Sequence, residues 1–175
     1  MRLERLCPVV SLDLQIRRAV ADDATDIARC YRRAYATATE RGYRTRLTDV
    51  DAETVADWLE ADGATLVAVE AGVGPEAESV VGTIRLLEDA TPTVERLAVV
   101  PERRQEGIAA QLLERAERLA SDRGEHRLRL ATFDEHPFLL EWYARRGYRT
   151  VDCPDKPAVA YGIVLLEKCL GPAQA

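Results

Sequence analysis

Three features of the sequence predict a mixed α/β (α+β) fold, a mainly antiparallel sheet with one parallel strand pair and flanking helices. First, residues 94–113 (VERLAVVPERRQEGIAAQLL) read as a buried strand, a stop at Pro101 and a helix opening on Gly107. Second, an apolar segment over residues 126–132 follows that helix, and a strand–helix–strand unit of this length implies a right-handed parallel crossover. Third, residues 65–70 and 80–87 are β-branched and apolar, and Gly72, Gly74 and Pro75 between them predict an antiparallel hairpin. With 175 residues, 47% of them hydrophobic, the chain suffices for one well-buried domain and is too short for two. That domain is expected over residues 13–170, with 1–12 and 171–175 as tails lacking an apolar period to dock them.

Residues 14–17 (LQIR) alternate as a first strand. Asp22 or Asp23 then caps a helix on which Ile27, Cys30, Tyr31, Ala34 and Tyr35 recur at helical spacing. A loop over residues 39–48 leads to a second helix over 52–61, with Val55, Trp58 and Leu59 on one face. Gly72 and Gly74 stand two apart like glycines of a dinucleotide fingerprint, but Pro75 follows and no helix does, so they read as a turn. A turn over 90–92 precedes the strand over 94–100. The helix over 107–121 carries Ile108, Leu112, Ala116 and Leu119 in one stripe, and Glu114 can pair with Arg118. A helix over 137–146 ended by Gly147, and strands over 148–151 and 159–167, complete the domain.

The net charge of -6 disfavours nucleic acid and mildly favours a cationic partner, since a field of that sign draws amines in. Arg115, Arg118 and Arg123 alternate with Glu114, Glu117 and Glu125 and read as a solvated face. No apolar stretch is long enough for a membrane span, and the first residues lack the apolar core and cleavage site of a signal peptide, so a cytoplasmic location is expected. Cys7, Cys30, Cys153 and Cys169 show neither C-x-x-C spacing nor partnering histidines. They read as reduced packing residues, and no metal site is expected.

A helix start exposes unpaired N–H groups and the positive end of its dipole, so Gly107 marks a candidate phosphate site. The surrounding Arg104, Gln105, Glu106, Gly107, Ile108 and Ala109 resemble the R/Q-x-x-G-x-G/A signature of the GCN5-related N-acetyltransferases (GNAT). Leu97, Ala98 and Val99 before Pro101 resemble that family's L-x-V-x-P strand end, and Leu112-Leu113 its paired leucines. Trp142 through Tyr148 (WYARRGY) resembles its F-Y-x-x-x-G-F segment, one strand and one helix later. The resemblance implies a GNAT-like fold in which the two parallel strands splay apart, with acetyl-CoA as co-substrate. Its pyrophosphate would meet Arg104 and the backbone of Gln105, Glu106, Gly107, Ile108, Ala109 and Ala110. Its pantetheine arm would bond the backbone of Leu97, Ala98 and Val99, and His136 could substitute for the family's CoA-touching asparagine. Two departures stand out: Gln105 replaces a frequent glycine, and Glu106 brings a carboxylate near a dianion.

The implied activity is transfer of an acetyl group to a primary amine of a small molecule or peptide by direct attack. Two other readings stay open, a catalytically silent CoA-binding module and a transferase of another acyl group. An amine of pKa about 10.4 is handicapped by about 4 to 5 kcal/mol at pH 7, so a proton acceptor is useful. Glu95 is the candidate base, or else a strand-end glutamate paired with Arg85 or Arg96. Tyr143 is the candidate acid for the departing thiolate, or else a core tyrosine on the stripe of Leu139, Trp142 and Arg146. His126 and His136 are the only histidines, which leaves no supported Ser-His or Cys-His nucleophile. In the expected acceptor loop, Arg41, Arg44 and Arg46 would favour an anionic amine, whereas Asp49, Asp51 and Glu53 would favour a polyamine or aminoglycoside. A monomer or homodimer is expected, with no nucleic acid or membrane partner.

Overall fold

Alternating apolar residues form β1 (Leu14–Arg18), which pairs antiparallel with β2 (Ala64–Ala71). β2 turns back into β3 (Glu78–Leu87), and β3 pairs antiparallel with β4 (Thr93–Val99). β5 (Arg127–Phe133) runs parallel to β4, and the strands β6 (Arg149–Val151) and β7 (Ile163–Cys169) close the sheet in the order β1-β2-β3-β4-β5-β7-β6. The computed structural model describes residues 14–40, 42, 45–71, 78–133, 138–151 and 162–171. The two tails up to residue 12 and from 172, the Gly72–Gly74–Pro75 turn, Arg41, Arg44, His136, Cys7 and Cys153 lie outside the described residues.

Helix α1 (Ala24–Glu40) buries Ile27, Cys30, Tyr31 and Ala34 as its spacing predicts. It starts after a short 3-10 turn, and Asp23 does not cap it. The Asp23 carboxylate instead accepts from the Val20 N–H at 2.7 Å and from Arg17, which also reaches Glu78. α2 (Ala52–Glu60) is capped by Asp51, which accepts from the Thr54 N–H at 2.8 Å. α1 and α2 cover one sheet face. α3 (Ile108–Asp122) covers the other, burying Ile108, Leu112, Leu113 and Ala116. The approach of α3 is close: a Cβ on Gly82 would stand 3.0 Å from both Ile108 and Leu112.

Several sequence expectations need correction. Glu114 and Arg118 form no ion pair among the described residues; Glu117 instead takes Lys168 at 2.7 Å and the Tyr148 hydroxyl at 3.0 Å, tying α3 to β7. α4 is shorter than expected, Leu139–Ala144. β7 runs two residues past Glu167, because Cys169 still pairs with Arg127. Gly171 is docked rather than loose, its carbonyl taking the Ser121 hydroxyl at 3.1 Å. Cys30 is buried, whereas Cys169 is exposed and lies outside the core. Among the described residues, no helix is long and apolar enough to cross a membrane.

Candidate active site

The parallel ladder between β4 and β5 holds only at Thr93–Arg129 and Val94–Leu130. Beyond it the strands part, so one backbone edge of β4 lacks a sheet neighbour. The Val100 N–H donates to Val81 O at 2.9 Å, and Ala98 faces Thr83, so these residues bond toward β3. By strand alternation Val99 turns its N–H and C=O into the gap. Of Leu97, Ala98 and Val99, Ala98 is therefore the one already engaged by the sheet.

An irregular register between Thr83 and Arg85 gives β4 an extra residue, a bulge at Arg96. Arg96 sits there at a φ of 55°, left-handed backbone that costs a side-chain-bearing residue about 1 kcal/mol. Two contacts hold the bulged segment. The Tyr35 hydroxyl donates to Leu97 O at 3.1 Å, and the Arg104 Nε donates to Val99 O at 3.3 Å.

Past β4, three consecutive side chains pin the loop over 101–106. Glu102 pairs with Arg33 at 2.8 Å, and Arg103 with both Glu70 at 2.6 Å and Glu106 at 2.9 Å. Arg104 donates to Thr37 Oγ1 at 3.0 Å and to Ala34 O at 2.7 Å. Its guanidinium thus clamps the loop to α1, and its N–H is taken by Pro101 O. Glu106, whose charge stood as an objection to phosphate binding, is paired with Arg103, which it shares with Glu70.

Gln105 and Gly107 both adopt positive φ, 68° and 79°. Gly107 is the N-cap of α3, accepting from the Gln111 N–H at 3.0 Å, and a Cβ on it would meet nothing within 4 Å. The N–H groups of Ile108, Ala109 and Ala110 lie in the first turn, where no helical carbonyl precedes them. Open space above a turn of unpaired N–H groups at the positive end of a 15-residue helix suits a phosphate.

Tyr143 on α4 is 6% exposed, with its ring edge-on to Trp142 at 4.9 Å and to Tyr148 at 5.8 Å. Burial pushes its phenol up to about 12, so it keeps its proton through the working pH range. Glu95 lies between two guanidiniums, 2.5 Å from Arg96 and 3.6 Å from Arg85, the pairing the sequence left open beside the base role. Arg85 is itself buried, donating to the Trp58 and Asp62 carbonyls at the end of α2 and to Thr65 Oγ1. Arg96 stacks on the Trp58 ring at 3.7 Å.

A family model described as the acetyltransferase (GNAT) family matches residues 25–148, more than half of the chain. The chain belongs to the GNAT acetyltransferase family. Solved structures give the same fold. The PaiA N-acetyltransferase of Thermoplasma acidophilum, in complex with coenzyme A, aligns with a TM-score of 0.66 at 18% identity, over 90% of this chain and 99% of that one. A GNAT acetyltransferase of Streptococcus pneumoniae aligns at 0.69 with 18% identity, over 91% and 100%. The ribosomal-protein-S18-alanine N-acetyltransferase of Escherichia coli aligns at 0.68 with 14% identity, over 92% and 96%. A comparison with curated proteins returned no match.

Within this GNAT fold, β4 and the loop bring Leu97, Val99 and the 105–110 backbone to one end of the parallel pair, and α4, packed on β5, carries Tyr143. Sequence reading missed Tyr35 and Trp58, placed only as helix-face apolar residues. It also missed that Arg104 grips α1. A half-buried ring with a polar end is a signal for such roles, since phenol and guanidinium groups need partners once covered. Among the described residues no group of three acidic, histidine or cysteine side chains could hold a metal ion.

Proposed function

We propose that the protein transfers an acetyl group from acetyl-CoA to a primary amine of a small molecule or peptide, by direct attack of the amine. The observation that carries this reading is the gap beside Val99, which opens one short turn ahead of the unpaired N–H groups leading into α3. Acetyl-CoA supplies an activated acyl carbon with a thiolate leaving group. The backbone of residues 105 and 107–110 would hold its pyrophosphate, and the gap-facing carbonyl of Val99 would accept from its amide-bearing arm. The Val99 N–H donates to the carbonyl oxygen as negative charge builds there. The amine nitrogen bonds to the acyl carbon and loses a proton to solvent, the carbon–sulfur bond breaks, and Tyr143 gives its proton to the sulfur. Arg104 acts at one remove, fixing the loop and the end of β4 against α1.

The experiment is calorimetric titration with acetyl-CoA beside a thiol-release assay over a panel of amines, with products read by mass spectrometry. Acceptor-dependent thiol release and a product heavier by one acetyl group are expected. Tight acetyl-CoA binding without acceptor-dependent release would make the protein a binding module instead. Turnover with another acyl donor and none with acetyl-CoA would change the group transferred.

A further inference from the structure

We infer that the acceptor is an amine that also carries a carboxylate, and that the Arg96 guanidinium reads that carboxylate. The inference rests on the acetyl-transfer reading above and names the class of acceptor for that same site.

Charge is the first ground. Among the described residues, Arg85 and Arg96 share a single acidic side chain, Glu95, and the remaining partners of Arg85 are the neutral Trp58 and Asp62 carbonyls and the Thr65 hydroxyl. Within this three-residue cluster, two guanidiniums against one carboxylate leave one positive charge, beside the acidic Glu53, Asp57 and Glu60 of α2. The protein as a whole is acidic, at -6, so this local excess runs against the average surface.

Geometry is the second. Trp58 covers one flat face of the Arg96 guanidinium, and the bulge fixes the backbone beneath it. The side chain is 23% exposed, and among the described residues it makes no hydrogen bond, only the ion pair with Glu95. A guanidinium has five N–H donors in a planar fork, and with its face stacked it offers the edge, the arrangement that takes a carboxylate by two parallel hydrogen bonds. A stacked, preorganised arginine loses little freedom on binding.

Position is the third. Arg96 adjoins Leu97, whose carbonyl accepts from the Tyr35 hydroxyl, and it stands on the same strand three residues before Val99, about 10 Å along an extended chain. A carboxylate held at Arg96 would therefore sit beside the strand segment that opens the gap, and would set its own amine toward Val99. The opposing acidic set is weaker than the sequence suggested, because Asp51 is committed to capping α2.

The test uses the full chain and paired acceptors that differ only in the acid group, α-amino acids against their carboxamides, with spermidine as a carboxylate-free polyamine. kcat/KM is measured with acetyl-CoA for the parent, Arg96→Gln and Arg96→Lys, and acetyl-CoA affinity by calorimetry. The parent should prefer the carboxylate of each pair by roughly 10- to 100-fold, the range of one charge-assisted pair. Arg96→Gln should bring that ratio near one with acetyl-CoA affinity unchanged, and Arg96→Lys should keep part of it. A parent indifferent to the carboxylate, or fastest with spermidine, overturns the inference while leaving acetyl transfer standing. So does an Arg96→Gln protein that slows both members of each pair equally, since that marks a structural role. If Arg96→Gln does not fold, the parent's ratio and that of Arg96→Lys decide. Absence of acetyl-CoA binding in the parent removes the acetyl-transfer reading, and this inference with it.

Discussion

The Tyr35 hydroxyl, on α1, donates a 3.1 Å hydrogen bond to the carbonyl of Leu97, 62 residues away on β4. It joins the helix to the strand segment that the sheet leaves unpaired, directly after the bulge. Burial raises the phenol well above its ordinary range, so the donor is present at every working pH. Tyr35→Phe removes the bond and little volume. Turnover should fall several-fold with little change in acetyl-CoA affinity, because the strand edge is loosened and the phosphate loop is not. A kcat/KM split from steady-state kinetics checks this, and an unchanged kcat would show that β4 holds its shape without Tyr35.

Gly107→Asp should abolish measurable acetyl-CoA binding and leave the protein folded. The new side chain has open space, so the fold loses only about 1 kcal/mol for a left-handed residue with a Cβ. Its charge, however, stands where phosphate would sit. Calorimetry with a circular dichroism control reads both, and a folded variant of parental affinity would remove the phosphate assignment.

For Tyr143→Phe, acetyl-CoA affinity should persist while turnover drops by roughly 10²-fold, the scale of a lost proton-transfer group. Burial holds the phenol at about 12. A group that acts while protonated and titrates there contributes no falling limb to the rate profile below about pH 11. Near-parental turnover in the variant would show that the thiolate leaves without it.

Glu95→Gln leaves Arg85 and Arg96 without a counter-charge, Arg85 being 4% exposed. The expected cost is about 1 to 3 kcal/mol of stability, the range for stranding a buried polar group. Chemical denaturation measures it. The pH–rate profile of the variant should overlay that of the parent. A rate lost at neutral pH and recovered as the amine deprotonates would instead make Glu95 the base.

Acid should weaken the fold through Asp23. The Arg17 guanidinium, and then the Val20 N–H, hold its carboxyl below the ordinary carboxylate range despite burial. A folded-state value below the unfolded one means the contribution is complete above about pH 4 and is lost as pH falls through the lower folded value. Asp23→Asn should therefore cost about 1 to 2 kcal/mol at pH 7, and the gap between parent and variant should close in acid. Denaturation midpoints from pH 7 down to pH 2 follow it, and a constant gap would assign the loss to packing.

The order of elements was legible from periodicity and turn formers, because a 3.6-residue or two-residue apolar rhythm is set by local geometry. The backbone turn around Gly107 was legible for the same reason. Gly107 and the residues around it act through their own backbone, so adjacency in sequence is adjacency in space. Gln105 could be flagged as standing where glycine is usual, and the fold holds it at a positive φ. Element ends were less legible: β7 runs on to Cys169 because β5 offers it a partner, and nothing in residues 168–169 announces that.

Sequence by itself thus determined the family, the mixed sheet, the parallel crossover and the backbone turn that opens α3. Only the tertiary structure decided where the charges went. Arg104 reads from its motif as a phosphate ligand, yet it closes on Ala34 and Thr37, some 70 residues upstream. Glu95 reads from sequence as a base or an ion-pair partner, and only the fold shows Arg85 and Arg96 on either side of it. The physical reason is that a long charged side chain takes the best partner within its reach, and that partner is chosen by which helices pack on which sheet face. Local pattern sets each backbone segment, but the pairing of side chains from α1, α2, β3 and β4 exists only once those segments meet.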